Sequence, residues 1–413
     1  MFSPEEDKYH YNSEKHWSSK FLKSGFERHT IPNIRRDNPK NPYNNYICSF
    51  QKCNYLSDKK EHLFRILDKD FPREKYYQRC KEIRNFMHWG QRKLLLTEIE
   101  FITLFYNQKT ELQNNEKQTI IIYAGASPGT HILYLKKLFP DIYFILYDPR
   151  EFNNELYKHS NVKIYQECFT DDSAKSLSEK YRPNNLLFIS DIRTADIDTM
   201  NSAKVEQYVK NDHDMQLNWY NILNPDFSMF KFRLPWNDGT TEYLNGDIYI
   251  QPYAPLSSTE TRLIVKKNAQ MKVYNNRTYE EQLFNFNKNY RDKTYINILS
   301  DIPEAEKKGL LNNYEGSVET EILHSYLKIR SDFNTNDAKN TIICMSEEIS
   351  KVLSDTRTLL SEQPLNHSKK ELVKKLIDLK LVPENIKFTT KQYNIYVLPI
   401  YDNISQYINN TNV

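Results

Sequence analysis

The chain has 413 residues, 39% of them hydrophobic and 27% charged, enough for one large α/β core with appendages or for two domains. A formal net charge of +3 is too mild to establish a polyanion partner by itself. The opening MFSPEEDKYHYNSEKH carries no apolar leader and no run approaches a membrane span, so a membrane protein is excluded from the expectations and a cytoplasmic one is favoured. Five scattered cysteines, an odd number, argue for reduced thiols rather than a disulfide scaffold. Cys48 and Cys53 with His62 form the one Cys/His cluster; the spacing fits no usual zinc pattern and a fourth ligand is missing, so no metal is expected.

Residues 1–45 are polar, rich in Asn, Pro and Tyr, and read as an arm. Residues 1–85 hold 18 Lys and Arg against 12 Asp and Glu, a locally positive end able to face phosphates. Leu63, Ile66 and Leu67 suggest a helix within 57–86. A clearer one spans Gln91–Tyr106, where Leu95, Ile99, Ile102 and Tyr106 make one apolar face. The β-branched run Ile120–Ile122 follows as a buried strand. Next come the turn Gly125-Ala126-Ser127-Pro128-Gly129, helically spaced Ile132, Leu133, Leu135 and Leu138, and a second strand over Ile142–Tyr147 that ends on Asp148.

Further βα units read as strand Val162–Phe169, helix Asp171–Tyr181, strand Asn185–Ile192, helix Thr199–Leu223 and strand Met229–Leu234. Asp247–Pro252 and Thr261–Lys266 are strands too close together for a parallel crossover, so an antiparallel edge is expected. Residues 279–299, 318–330 and 336–360 read as helical, as does Lys369–Leu379, and Tyr393–Ile400 as a strand. The expected class is a doubly wound, mostly parallel α/β sheet of Rossmann-like type with an antiparallel edge. The expected division is an arm at 1–70, a core at 71–355 and an extension at 356–413.

Strand, glycine turn, helix, strand and acid make the first half of a nucleotide-binding sheet. The chain has eight glycines, two of them in this turn. Their spacing is not the dinucleotide Gly-x-Gly-x-x-Gly, which argues against a pyrophosphate cradle. Ligands in such sheets sit outside the carboxyl ends of the strands. Polar residues at or near those ends are Asp148, Asp191, Lys231, Arg233 and Glu260, with Lys93 on the helix before the first strand. Lys231 lies between Phe230 and Phe232; a lysine held in a partly apolar site beside a second lysine loses proton affinity and can serve as a base.

The segments HWGQRKLLLTEIEF, IIYAGASPGTHILYL, LYDPR, ISDIR, NILNPDFSMFKFRLPW and QPYAPLSSTETRL, in that order, resemble the poxvirus-type cap-specific mRNA (nucleoside-2′-O-)-methyltransferase family, over about residues 85–355. That family also supplies the regulatory subunit of the viral poly(A) polymerase. The resemblance implies an S-adenosyl-L-methionine-dependent enzyme with a tetrad at Lys93, Asp191, Lys231 and Glu260. Gly125, Ala126, Ser127, Pro128, Gly129, Asp148, Arg150, Phe169, Thr170 and Asp191 would then hold the cofactor. For the cap, Trp236 stands where the family has Phe, Asp238 and Glu280 match acids for the guanine edge, and Tyr76 or Tyr77 would complete an aromatic sandwich. Arg193 and Arg233 would meet RNA phosphates. The turn reads Ala-Ser where the family usually has Ser-Ala.

The implied reaction converts cap-0 to cap-1 in 7-methylguanosine-capped mRNA, in the cytoplasm or virion of a large DNA virus. Implied partners are capped mRNA and the catalytic subunit of a viral poly(A) polymerase, with no membrane and no metal. Rival readings are a non-catalytic processivity factor on the same fold and a 2′-O-methyltransferase of ribosomal or transfer RNA. An intact tetrad opposes the first, and Trp236 with Asp238 and Glu280 opposes the second.

Overall fold

A computed structural model describes residues 63–76, 89–111, 117–195, 202–254, 258–291, 295, 297–302, 310, 314–330, 333–335, 337–362, 373–374 and 377. The arm, the Cys48/Cys53/His62 cluster, Tyr77 and the run at 393–400 lie outside them, as does all of Lys369–Leu379 except helical residues 373–374 and 377.

In chain order the elements begin with α1 (Trp89–Glu111), β1 (Thr119–Ala124), α2 (Thr130–Leu138), β2 (Tyr143–Tyr147) and β3 (Val162–Tyr165). Then come α3 (Asp171–Tyr181), β4 (Asn185–Ser190), α4 (Ser202–Leu223) and β5 (Phe227–Phe232). The last group is β6 (Thr240–Leu244), β7 (Asp247–Tyr249), β8 (Thr261–Lys266), β9 (Met271–Asn275), α5 (Asn276–Asn285), α6 (Tyr314–Lys328) and α7 (Ala338–Glu362).

Seven strands form one sheet in the order β3-β2-β1-β4-β5-β8-β7. The first five are parallel; β8 joins β5, and β7 joins β8, antiparallel. Helices cover both faces, which explains why β1 is buried at all six positions and reads as an unbroken apolar run. α1, α2, α6 and α7 pack together as one layer, and α3 with α4 as another. The order in which strands are added to the sheet reverses between β1 and β4, and Asp191 N–H donates to Ala124 O there (2.9 Å). That reversal brings the glycine turn after β1 against the segment after β4, the place where such sheets bind ligands.

Three expectations change. Residues 63–76 are not helical: Ile66 bridges antiparallel to Tyr249, and Leu67 N–H and Ile250 N–H bond Ile248 O and Arg65 O, each at 2.8 Å. Three apolar residues fit an extended segment equally well, and the free edge of β7 supplied the backbone partners. Leu67 and Phe71 are buried in the main core, so we propose that the domain begins at residue 63 or earlier rather than at 71. Helix 279–299 is instead α5, a π turn over Phe286–Tyr290, and turns at 298–301. A two-stranded sheet, β6 with β9, stands apart; its mixed polar sequences TTEYL and MKVYN lack a legible period.

A buried charge network anchors α1 from behind. Glu319 on α6 accepts from Arg92 Nε (2.8 Å) and Tyr253 OH (2.7 Å), and Arg92 also reaches Ser346 and Ser350 on α7. Arg92 directly precedes Lys93, so this clamp fixes the helix that carries a candidate site lysine. Removing one partner strands a buried charge, which costs more than the pair contributes. Glu319→Ala should lower stability by about 3–5 kcal/mol in urea unfolding; a loss under about 1 kcal/mol would show that the pair does not secure the helix.

Candidate active site

The turn after β1 is built for close approach. Gly125 (φ +84°) and Gly129 (φ +70°) both hold left-handed backbone that a side chain disfavours. A Cβ on Gly125 would lie 2.9 Å from Asp191 C and Ile192 N, and one on Gly129 would lie 2.7 Å from Leu156 Cδ1. Between them the Ser127–Pro128 peptide is cis, and Ser127 N–H donates to Asp148 Oδ2 at 3.2 Å. Ala126 is buried against the core.

Asp148, buried at the end of β2, is also gripped by Arg150, whose N–H and Nε donate to Oδ1 and Nη2 to Oδ2, all at 2.9 Å. Burial alone would raise this carboxyl; the Arg150 hydrogen bonds and the Ser127 N–H outweigh it and hold the group below the usual range. β3 stops at Tyr165, so Phe169 and Thr170 do not end that strand. Phe169 sits in the connection with its ring edge-on to Tyr147 (4.9 Å) and Trp219 (5.0 Å). Thr170 is the N-cap of α3, its hydroxyl accepting from Ser173 N–H at 3.2 Å.

The four residues Lys93, Asp191, Lys231 and Glu260 meet at one point, on α1, after β4, on β5 and before β8. Lys231 Nζ lies 3.0 Å from Asp191 Oδ1 and donates to Asp191 O at 3.2 Å. Lys93 Nζ donates to Glu260 Oε1 at 2.8 Å. Each acid therefore takes one lysine. Two residues that the sequence reading gave no part in this cluster complete it. Arg262, 1% exposed and paired in register with Lys231 across β5–β8, approaches Asp191 Oδ1 to 2.7 Å. Gln251 Nε2 donates to Glu260 O (2.9 Å) and Oε1 (3.3 Å). The signal for Arg262 was present: a charged residue inside TRLIVK, two positions after Glu260, shares its side of the strand.

The electrostatics follow from burial against pairing. Burial lowers Lys231 below the ordinary 10.5, with Asp191 and Glu260 opposing and Arg193 and Arg262 reinforcing the drop. Asp191 would rise on burial, but Arg262 and then Lys231 keep it below the usual range. Glu260, likewise buried, is held well below it by Lys93, Lys231 and Arg262.

Arg193 and Arg233, expected to face phosphates, are engaged by acids: Arg193 Nη2 donates to Glu260 Oε2 (2.5 Å) and Arg233 Nη2 to Glu206 Oε1 (2.9 Å). Trp236 is 54% exposed. Its Nε1 donates to Thr259 Oγ1 (3.0 Å), its backbone N–H to Glu206 Oε2 (3.2 Å), and the Arg233 guanidinium lies 4.4 Å from its ring centroid. Glu206, on α4, was not anticipated; a lone glutamate in a helix carries no sequence signal.

Arg277 bridges the two acids of the same region, 2.8 Å from Asp238 and 3.8 Å from Glu280. Burial raises the Glu280 carboxyl, against Arg277. Tyr76, 44% exposed, packs edge-on to Phe284 of α5 (5.3 Å), one turn from Glu280. Tyr77 lies outside the described residues. No cluster of three or more metal-type ligands occurs among the described residues, and none of their helices is long and apolar enough to cross a membrane.

A parallel β3-β2-β1-β4-β5 sheet with a glycine turn, an acid after β2 and an antiparallel β8–β7 edge is a Rossmann-like fold of methyltransferase type. A family profile described as "Poly A polymerase regulatory subunit" matches residues 63–355, and the chain belongs to that family. The cap-specific mRNA (nucleoside-2′-O-)-methyltransferase of Fowlpox virus (strain NVSL) is 30% identical over 240 residues, 52% of this chain and 73% of that relative. The proteins of the same name from Myxoma virus strains Lausanne and Uriarra are 27% identical over 223 residues, 51% of this chain and 64% of those relatives. Among solved structures, "The structure of bluetongue virus VP4 reveals a multifunctional RNA-capping production-line" aligns with a TM-score of 0.34 at 12% identity, over 68% of this chain and 41% of that one.

The held-down carboxylates make the site's contribution to stability pH-dependent. A folded-state pKa below the unfolded one gives stability that is complete above the unfolded carboxylate range and is lost as pH falls through the lower folded value. Asp148, Asp191 and Glu260 all act in this direction. Lys231 acts on the alkaline side: the fold bears the cost of its charge below the lowered pKa, and that cost is relieved as pH rises toward 10.5. Asp191→Asn should therefore flatten the loss of stability between neutral pH and pH ~3 in urea titrations; an unchanged acid slope would contradict the pairing.

Proposed function

We propose that this protein transfers a methyl group from S-adenosylmethionine to the ribose 2′-hydroxyl of the first transcribed nucleotide of 7-methylguanosine-capped mRNA. The observation that carries the reading is Lys231, a buried amine with lowered pKa, held by Asp191 beside the glycine turn. The residues present suit the adenosyl donor. The two left-handed glycines leave the backbone bare where a side chain would collide, and Asp148 offers a carboxylate held in its charged form. Ala126, Ser127 and Pro128 complete the turn, and Phe169 and Thr170 lie on the connection beyond β3, where an adenine would sit. Arg150 steadies Asp148 from the solvent side. When bound, the donor supplies an electrophilic sulfonium methyl.

With the donor bound, Lys231 would accept the 2′-hydroxyl proton on Nζ, and the methyl would pass from sulfur to that oxygen as the C–S bond breaks and the donor leaves as its neutral thioether. The lowered pKa of Lys231 leaves a larger neutral share of the amine at a given pH than an ordinary lysine has. Asp191 fixes the position of Nζ and stabilises the ammonium that forms, while Arg262, its other partner, keeps the carboxylate from taking the proton. Glu260 holds Lys93 across the site, with Gln251 fixing Glu260. Holding two reactants in a near-attack arrangement supplies much of the acceleration.

Cap reading is assigned to the surface of Trp236, Asp238, Glu280 and Tyr76. A cationic methylated base stacks better on the face of an indole than a neutral one does, and a half-buried glutamate accepts from the guanine N–H edge. The transcript body would lie along Arg193 and Arg233, with Arg193 exchanging its contact to Glu260 Oε2 for a phosphate while Arg233 keeps Glu206. A second role as a poly(A) polymerase subunit is favoured by the family match over residues 63–355. A setting in the cytoplasm or virion of a large DNA virus is supported by the similarity to poxvirus proteins.

The test presents labelled S-adenosylmethionine with RNAs ending in 7-methylguanosine cap, unmethylated guanosine cap or no cap. Transfer should favour the methylated cap by at least ~10-fold, and Lys231→Met should reduce it by ~100-fold or more while donor binding persists. Equal transfer to all three ends would remove the cap reading, and an active Lys231→Met enzyme would remove the proposed base.

A further inference from the structure

We infer that Glu206 sets how sharply Trp236 distinguishes a cationic base from a neutral one, by cancelling the charge of Arg233 behind the ring. The inference rests on the cap-stacking role proposed above for Trp236.

An indole has two faces, and here one is taken. The Arg233 guanidinium lies 4.4 Å from the ring centroid. A base stacked on the opposite face would place a second cation roughly 8 Å from the first. Left uncompensated, Arg233 would repel that cation and leave a neutral base untouched, lowering the very selectivity the indole supplies. Two like charges at this separation repel enough to change affinity about 2-fold in a water-like medium and about 30-fold at an effective dielectric near 20.

Glu206 removes the problem. Its Oε1 accepts from Arg233 Nη2 at 2.9 Å, and its Oε2 accepts from the Trp236 backbone N–H at 3.2 Å. Both charged side chains are largely shielded, 15% exposed for Arg233 and 17% for Glu206, so the pair acts in a medium less screening than water. One carboxylate thus holds the loop of the stacking ring and neutralises the cation beneath it. Thr259 fixes the indole by its Nε1, on a side Glu206 does not touch. The other charges nearby, the Asp238–Arg277 pair and Glu280, remain the same in every variant compared below.

Loss of a merely structural contact would weaken methylated and unmethylated caps alike, whereas loss of charge cancellation acts on the methylated cap alone. The experiment titrates wild type, Glu206→Gln, Arg233→Gln and the double variant with 7-methylguanosine and unmethylated guanosine cap dinucleotides at mildly acidic pH, by indole fluorescence. The readout is the ratio of the two dissociation constants. Glu206→Gln should lower the preference for the methylated cap by about 3- to 10-fold, within the Coulomb range above. Arg233→Gln should keep or raise it, and the double variant should recover the wild-type ratio. An unchanged ratio in Glu206→Gln, or no recovery in the double variant, overturns the inference. A wild-type ratio of one overturns the cap reading itself, a separate failure.

Discussion

Two cations, Lys231 and Arg262, face each other across the β5–β8 pairing and share one oxygen of Asp191 in a pocket shielded from water. Burial presses first against charging both, and like charges opposed on paired strands add their repulsion. Arg262 cannot give up its proton, so the strain falls on Lys231, which is the softer of the two. Without Asp191 the pair would press the strands apart; without Arg262 the carboxylate would compete with Lys231 for the proton. The cluster is a way of keeping an amine both fixed and less basic than usual. An exposed lysine achieves neither.

The rest of the fold serves to bring that cluster to the glycine turn. The reversal of strand order between the parallel neighbours β1 and β4 sets Gly125 against Asp191, with no room for a Cβ between them. The antiparallel return of β8 then carries Glu260 and Arg262 to the same end of the sheet as Lys231. Lys93 arrives from outside the sheet on α1, a helix held by buried ion pairs to α6 and α7. A few kcal/mol of buried pairing behind α1 thus positions a residue that touches none of those pairs.

The parallel half of the fold was legible because strands buried on both faces read as unbroken apolar runs, as in Ile120–Ile122, and because Gly125 and Gly129 stand out in a chain with eight glycines. The four candidate site residues were legible through motif resemblance joined to position at strand ends; the structure brings all four together. Arg262, Gln251 and Glu206 were not. Each acts through a partner far away in sequence: the charge inside TRLIVK marks Arg262 as unusual but does not name an acid 71 positions earlier, and nothing local marks a helix glutamate that answers a tryptophan thirty positions later. Residues 63–76 were misread for the opposite reason: their few apolar positions carry no distinct period, and the edge of β7 decided their form.

A binding platform without catalysis would keep the sheet, the aromatic surface and the family match, but would have no use for a depressed lysine. The direct measurement is therefore the pH dependence of single-turnover methyl transfer to 7-methylguanosine-capped RNA. The rate should rise to a plateau with an apparent midpoint below the ordinary lysine value of 10.5, and Asp191→Asn, which removes the counter-charge, should move that midpoint lower still. A rate that keeps climbing to the ordinary lysine range, or a midpoint indifferent to Asp191, would contradict the account.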